Sequence, residues 1–206
     1  MSQDAITGYE QVDESWIKAT EAIDPTKLYA YVLDLFPINF KGLKILDLGA
    51  ASGRDAAWLA AQGARVTAVE PAENLRSAGQ KLHRGIPITW LDDRLPDLES
   101  LEDGNLFNLI LVTGVWQHLD EADQALGFQR LAQLLRSGGR IIMALRHGAP
   151  ANHHINFPIE TDALLSWANA LGLRVLRAKA APSQGDWNKA NGVSWTWLVL
   201  EKPAAS

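Results

Sequence analysis

The sequence predicts an α/β fold: a Rossmann-like, mostly parallel seven-stranded sheet with helices on both faces and an antiparallel final strand pair. Three observations predict it. Short apolar runs alternate with helix-compatible stretches along most of the chain. The runs are continuously apolar rather than alternating, as in "LFNLILVT" (106–113), the pattern of strands buried on both faces. The first run ends in a turn of small residues, and the second ends on an acid, Glu70.

The elements follow in order. Asp24-Pro25 reads as an N-cap with proline at the first helical position, opening a helix over 24–35 that Pro37 and Gly42 close. "KILDLG" is a short buried strand. A helix over 54–62 takes its apolar side from Trp58, Leu59 and Ala61 and ends at Gly63. "ARVTAVE" is the second strand, 73–82 a polar helix, "IPITWLD" the third strand and "LFNLILVT" the fourth. A helix over 120–135 leads through "SGG" to the strand "RIIMALR". A helix over 160–171 then precedes two strands, 173–180 and 193–201, with no helix between them. Two consecutive strands joined by a loop pair antiparallel.

With 206 residues and 47% hydrophobic composition, the chain suits one well-filled domain over 1–206, with 1–40 as an N-terminal helical cap or lid. The net charge of -5 argues against a broad electrostatic footprint for nucleic acid or anionic membrane. Its apolar runs fall short of the roughly 20 residues of a membrane-spanning helix. The first residues hold acids and no apolar signal core, so the cytoplasm is the expected compartment. Cysteine is absent, which removes disulfides, thiolate metal sites and a cysteine nucleophile. The eight tryptophans read mostly as packing units.

The turn after the first strand, "DLGAASGR", stands where an open α/β sheet receives ligands, beyond the carboxyl ends of its strands. A dinucleotide fingerprint needs small residues at relative positions 0, 2 and 5, but Arg54 fills the last of these. Small residues at 0, 2 and 4, namely Gly49, Ala51 and Gly53, fit better. Asp47 lies two residues ahead, and Glu70 offers a carboxylate to a ribose diol. A nicotinamide-dependent oxidoreductase is disfavoured on this count.

Asp47-x-Gly49-x-Ala51-x-Gly53, followed in order by "VTAVEP", "ITWLDD" and "LRSGGRIIM", resembles a class I S-adenosylmethionine-dependent methyltransferase of the small-molecule type. The likeness covers about residues 42–145. It implies S-adenosyl-L-methionine as cofactor. It also implies that Gly49, Ala50 and Ala51 make backbone contacts along the methionine portion, with Gly53 and Arg54 completing the turn. Asp47 then braces the turn and reaches the cofactor's amino group through water, and Glu70 holds the ribose hydroxyls. Pro71 lies near the adenine, as does Ala72. Asp92, preferred to Asp93, accepts from the adenine amino group, with Asp93 and Arg94 adding backbone contacts. Thr113 sits beside the methionine amino group and the transferable methyl. The chain departs from the family at Ala51, usually glycine, and at Ser137, usually proline.

The acceptor half is written less plainly. "TGVW" stands where base-methylating DNA enzymes show an Asn/Asp-Pro-Pro-aromatic tetrad, which argues against that class. Trp116 either lines the acceptor pocket or packs under the following helix. His118 is the candidate base, since its unperturbed pKa of about 6.5 suits proton removal at neutral pH; otherwise it caps that helix. Arg146, His147, His153 and His154 form the densest cationic cluster, suited to an anionic or oxygen-rich acceptor or to a solvated loop. No supporting acid set marks it as a metal site. Trp187 and Lys189 sit in a loop placed to close over a substrate, and Tyr9 resembles the tyrosine that many small-molecule methyltransferases place over the cofactor. The expected activity is methyl transfer to oxygen or nitrogen of a small molecule. The alternative is a catalytically silent binding module acting in regulation or interaction. The oligomeric state is not readable.

Overall fold

A computed structural model describes residues 3–104, 106–150, 155–183 and 186–204, without the side chains of 3, 4, 186 and 187. Seven strands form one sheet: β1 (Lys44–Leu48), β2 (Arg65–Val69), β3 (Ile88–Leu91), β4 (Phe107–Thr113), β5 (Leu135–His147), β6 (Arg174–Pro182) and β7 (Ser194–Glu201). Their order is β3-β2-β1-β4-β5-β7-β6. The first five pair in parallel, and β7 runs antiparallel to both β5 and β6. The described helices are α1 (Gln3–Glu10), α2 (Glu14–Glu21), α3 (Pro25–Leu28), α4 (Arg54–Ala61), α5 (Glu73–Leu82), α6 (Glu121–Leu134), α7 (Thr161–Ala170) and α8 (Asp186–Ala190).

Both sheet faces are covered, which explains the unbroken apolar runs. Along β1, Ile45 joins a core with Ala56 and Leu59 of α4, whereas Leu46 joins a second core with Phe128 and Leu131 of α6. Alternate residues therefore enter opposite cores, and neither face is left for polar side chains. Register then sets the position of the site. Leu48 stands opposite Val69 of β2 and Val112 of β4, so Gly49, Glu70 and Thr113 emerge level at one sheet edge. Strand order reverses between β1 and β4, and a crevice opens at such a switch point.

Three local expectations need correction. The helix expected over 24–35 stops at Leu28 and resumes only as a 3-10 turn at Leu33–Leu35. Asp24 caps it as expected, accepting from the Thr26 amide at 2.9 Å. Arginines from the sheet bind carbonyls in the rest: Arg177 donates to Tyr31 O and Arg140 to Leu35 O. Tertiary partners thereby satisfy backbone that a helix would otherwise satisfy. In α4, Ala61 is exposed, and Ala56, Ala57, Leu59 and Ala60 form the buried side. The "SGG" turn lies inside β5, where register shifts opposite Phe107 and Leu109. Gly138 takes a positive φ of 75° there, and Lys202 bonds across the glycine pair.

Candidate active site

The turn after β1 is shaped by close approaches. Gly49 has φ 63°, and a Cβ there would lie 2.3 Å from Val115 Cγ2. Gly53 has φ 91°, and its Cβ would meet the Trp90 ring at 2.6 Å. Ala51 also adopts the left-handed region, with φ 50°, where its Cβ is disfavoured. The departure at position 51 thus carries a backbone cost. Ala51→Gly is expected to stabilise the protein by about 0.5–1 kcal/mol in urea unfolding, the left-handed penalty less glycine's extra chain entropy. An unchanged or lower midpoint would contradict this.

Glu70 ties the turn to the next loop. It is 6% exposed, and its two oxygens accept from the amides of Ala51 (2.8 Å) and Ala72 (2.9 Å). Burial pushes its carboxyl above the ordinary range, while those amide bonds oppose the rise. Each oxygen retains a lone pair for a hydroxyl donor.

Beneath the turn lies a buried acid pair. Asp55 holds Arg54 through two 2.8 Å bonds and accepts from the Tyr29 hydroxyl at 2.7 Å. Tyr29 also bonds Thr113 Oγ1 at 3.0 Å, linking α3 to the end of β4. Arg54 therefore pairs with a buried acid while also lining the cavity above. Asp47 is 3% exposed, and its Oδ2 has no hydrogen-bond partner. Burial raises its pKa well above the usual carboxylate range; the Asp55 charge adds to this and Arg54 opposes it.

These groups face a cavity of about 450 Å³ over the β1–β4 switch. Asp47, Gly49, Ala50, Ala51, Arg54, Glu70, Pro71 and Thr113 line it, with Tyr9 and Trp16 from α1 and α2 across the opening. Toward β5 the wall is Val115, Gln117, His118, Arg146, Asn188 and Trp195. His118 is buried. Its Nδ1 lies 2.9 Å from Ile155 O, which assigns the proton to Nδ1, and its Nε2 faces the Tyr9 hydroxyl at 3.0 Å. Burial pushes the Tyr9 phenol up to about 12, so it stays neutral. Asp120, not His118, caps α6, accepting from Asp123 N at 2.9 Å.

Other expected residues stand elsewhere. Gly53 packs behind the turn and does not line the cavity. Asp92, Asp93 and Arg94 also lie outside its lining. The Asp92 side chain is 68% exposed and bridges to Arg76, and Asp93 accepts from the Arg94 and Ser100 amides. Trp116 is fully buried in the core, edge-on to Phe128, so packing and not pocket lining is its role. His147 opens on a separate groove and bonds Thr196 Oγ1 at 2.9 Å. The Trp187 side chain, His153 and His154 lie outside what is described. Among the described residues, no group of three or more His, Asp or Glu side chains gathers to hold a metal ion. No helix among them is long and apolar enough to cross a membrane.

Sequence reasoning missed Asp55, Gln117 and Trp195. An acid beside Arg54 was a usable signal for the first. Nothing local marks the others, which reach the cavity through tertiary packing.

Residues 45–139 match the protein family described as "Methyltransferase domain". Residues 45–139 are thus similar to a methyltransferase domain. A curated relative, a ubiquinone biosynthesis O-methyltransferase of Methylocella silvestris, is 30% identical over 165 residues, covering 68% of this chain and 61% of that protein. Its counterpart in a Bradyrhizobium species is 27% identical over 156 residues, covering 68% and 60%. The chain thus spans at most about three-fifths of these relatives' length. The N-methyltransferase NodS of Bradyrhizobium japonicum, solved with S-adenosylhomocysteine, superposes with a TM-score of 0.69 at 16% identity, covering 96% of each chain. A Burkholderia thailandensis 1,6-didemethyltoxoflavin N1-methyltransferase superposes with a TM-score of 0.67 at 20% identity, covering 96% of this chain and 85% of that one. These likenesses show that the chain has the class I methyltransferase fold, with the sheet order and antiparallel ending described above.

Proposed function

We propose that this protein is an S-adenosylmethionine-dependent methyltransferase acting on oxygen or nitrogen of a small molecule, with residues 1–206 as one catalytic unit and α1–α2 as its lid. The observation that carries the reading is the buried carboxylate set at the β1–β4 crevice. Glu70 is fixed by two amides, and Asp47 keeps an oxygen without a protein partner.

The residues present fit the cofactor. Glu70 holds a ribose diol through its remaining lone pairs, and Pro71 and Leu75 offer apolar surface beside it for the base. Asp47 and Thr113 receive the ammonium end, while Gly49 and Ala51 let the backbone approach. When bound, S-adenosylmethionine supplies an electrophilic methyl on a sulfonium centre. The chain's own work is alignment and exclusion of water, which Tyr9 and Trp16 perform across the opening. An acceptor that keeps its proton gives it to the Tyr9 oxygen as the Tyr9 hydroxyl proton passes to His118 Nε2. His118 is then a base acting through tyrosine.

Calorimetric titration tests the binding step: S-adenosylmethionine should bind one to one, and no detectable binding would refute the reading. The same titration carries a pH signature. Asp47 and Glu70 have raised pKa values in the free protein, and a cationic ligand favours their ionised forms. Binding should therefore release protons and tighten as pH rises through those raised values. Proton uptake, or affinity that falls with rising pH there, would contradict the assignment.

A further inference from the structure

Arg146, near the end of β5, is a buried cation with no carboxylate partner among the described residues. It is 8% exposed, its Nη1 donates to Ala149 O at 2.7 Å, and its Nη2 has no partner. Among the described residues no carboxylate pairs with it, unlike Arg54, which is held by Asp55 in the same cavity. Neutral acceptors, Ala149 O and the Asn156 amide oxygen, offset part of the cost of burying this charge, and a ligand that brings the opposite charge offsets more.

The place of Arg146 tells which ligand that is. Sheet order puts the ribose-type carboxylate at β2, Asp47 at β1 and Thr113 at β4, so β5 lies on the side of the crevice away from Glu70. Arg146 stands opposite Trp195 of β7 in the antiparallel pair, which brings the two side chains to one face. Trp195 in turn lies against Gly114, just past Thr113, where a Cβ would be 3.6 Å from its ring. An apolar wall thus runs from the end of β4 toward the guanidinium. Gln117 Oε1, also buried and without a partner, adds an acceptor on the same side.

We infer that the methyl acceptor carries a carboxylate, received by Arg146 Nη2, and an apolar body lying against Trp195. This rests on the proposed function and names the substrate class of that same site. The alternative partner for the guanidinium is the carboxylate of the cofactor itself, and the test separates the two.

With S-adenosylhomocysteine saturating, benzoate and its neutral analogue benzamide are titrated into the wild-type protein, Arg146→Met and Arg146→Lys. Wild type should bind benzoate at least about tenfold more tightly than benzamide. Arg146→Met should abolish that preference and Arg146→Lys restore part of it, with S-adenosylhomocysteine affinity changing less than about threefold in either. Equal binding of the two probes, no benzoate binding at ~10 mM, or a preference kept in Arg146→Met would overturn the inference. So would a large loss of S-adenosylhomocysteine affinity in Arg146→Met, which would assign the arginine to the cofactor. Failure of S-adenosylhomocysteine to bind wild type is a different result: it removes the proposed function, and the inference falls with it.

Discussion

Glu70→Ala weakens S-adenosylhomocysteine binding by about 100-fold or more, roughly 3 kcal/mol, because it removes an ionised acceptor that serves two ribose hydroxyls. The same substitution frees the Ala51 and Ala72 amides, so it also lowers stability, by about 1–3 kcal/mol. The two effects are read apart by titrating at a temperature where unfolding measurements show the variant still folded. Glu70→Gln adds a control: it keeps the shape and one acceptor oxygen, but sets an NH2 group against one of the two amides. It should retain more stability than alanine while still losing most of the affinity. Binding within about threefold of wild type in both variants would remove Glu70 from the ligand site.

Asp55→Ala should destabilise the protein by about 3–5 kcal/mol, the cost of stranding a buried partner. Arg54 and Asp55 have side-chain exposures of only 17% and 7%, so water compensates neither fully. The loss extends to Tyr29, whose fully buried hydroxyl retains only Thr113. The double variant Arg54→Met with Asp55→Leu separates charge from packing. It removes both charges of the pair together and should recover most of the single variant's loss in urea unfolding, because neither member of the pair is stranded. A loss below about 0.5 kcal/mol in Asp55→Ala would show that Arg54 finds solvent, and the buried pair would not be what braces the turn.

What was legible in the sequence was local. The strand ending at Leu48, the turn at Gly49 and the acid at Glu70 follow from apolar runs, backbone sterics and spacing within one β-α-β unit. All stand where that reading puts them, at one sheet edge. The antiparallel ending was legible for the same reason, since two strands without a helix between them have one simple way to pair.

What escaped the sequence depends on partners far along the chain. Tyr9 meets His118 across 109 positions, and Tyr29 meets Thr113 across 84. Periodicity carries no information about such pairings. Trp116 shows the limit well: its position after β4 suits either a pocket wall or the core, and only the packing of Phe128 against it decides. Asp92, which the family resemblance sets beside the adenine, has its side chain bridged to Arg76 of α5. The helix expected to run to 35 fails because arginines on β5 and β6 offer its carbonyls better-placed donors. In each case a tertiary contact overrode a sound local preference.

Arg146 belongs to the same group, with a difference. The sequence marks it as part of a cationic cluster, but only the fold shows that His147 bonds Thr196 while Arg146, which lines both the cavity and the groove beside it, keeps a nitrogen without a partner among the described residues. That separation turns a basic stretch into a candidate specificity device.

The central claim is methyl transfer to a small molecule. It is tested most directly by incubating the protein with S-adenosylmethionine carrying an isotopically labelled methyl group and a cell metabolite extract, then locating the label by mass spectrometry. Label is expected on the oxygen or nitrogen of a low-mass carboxylate, with equimolar S-adenosylhomocysteine formed. Label confined to macromolecules, or no transfer from a cofactor that binds, would contradict it.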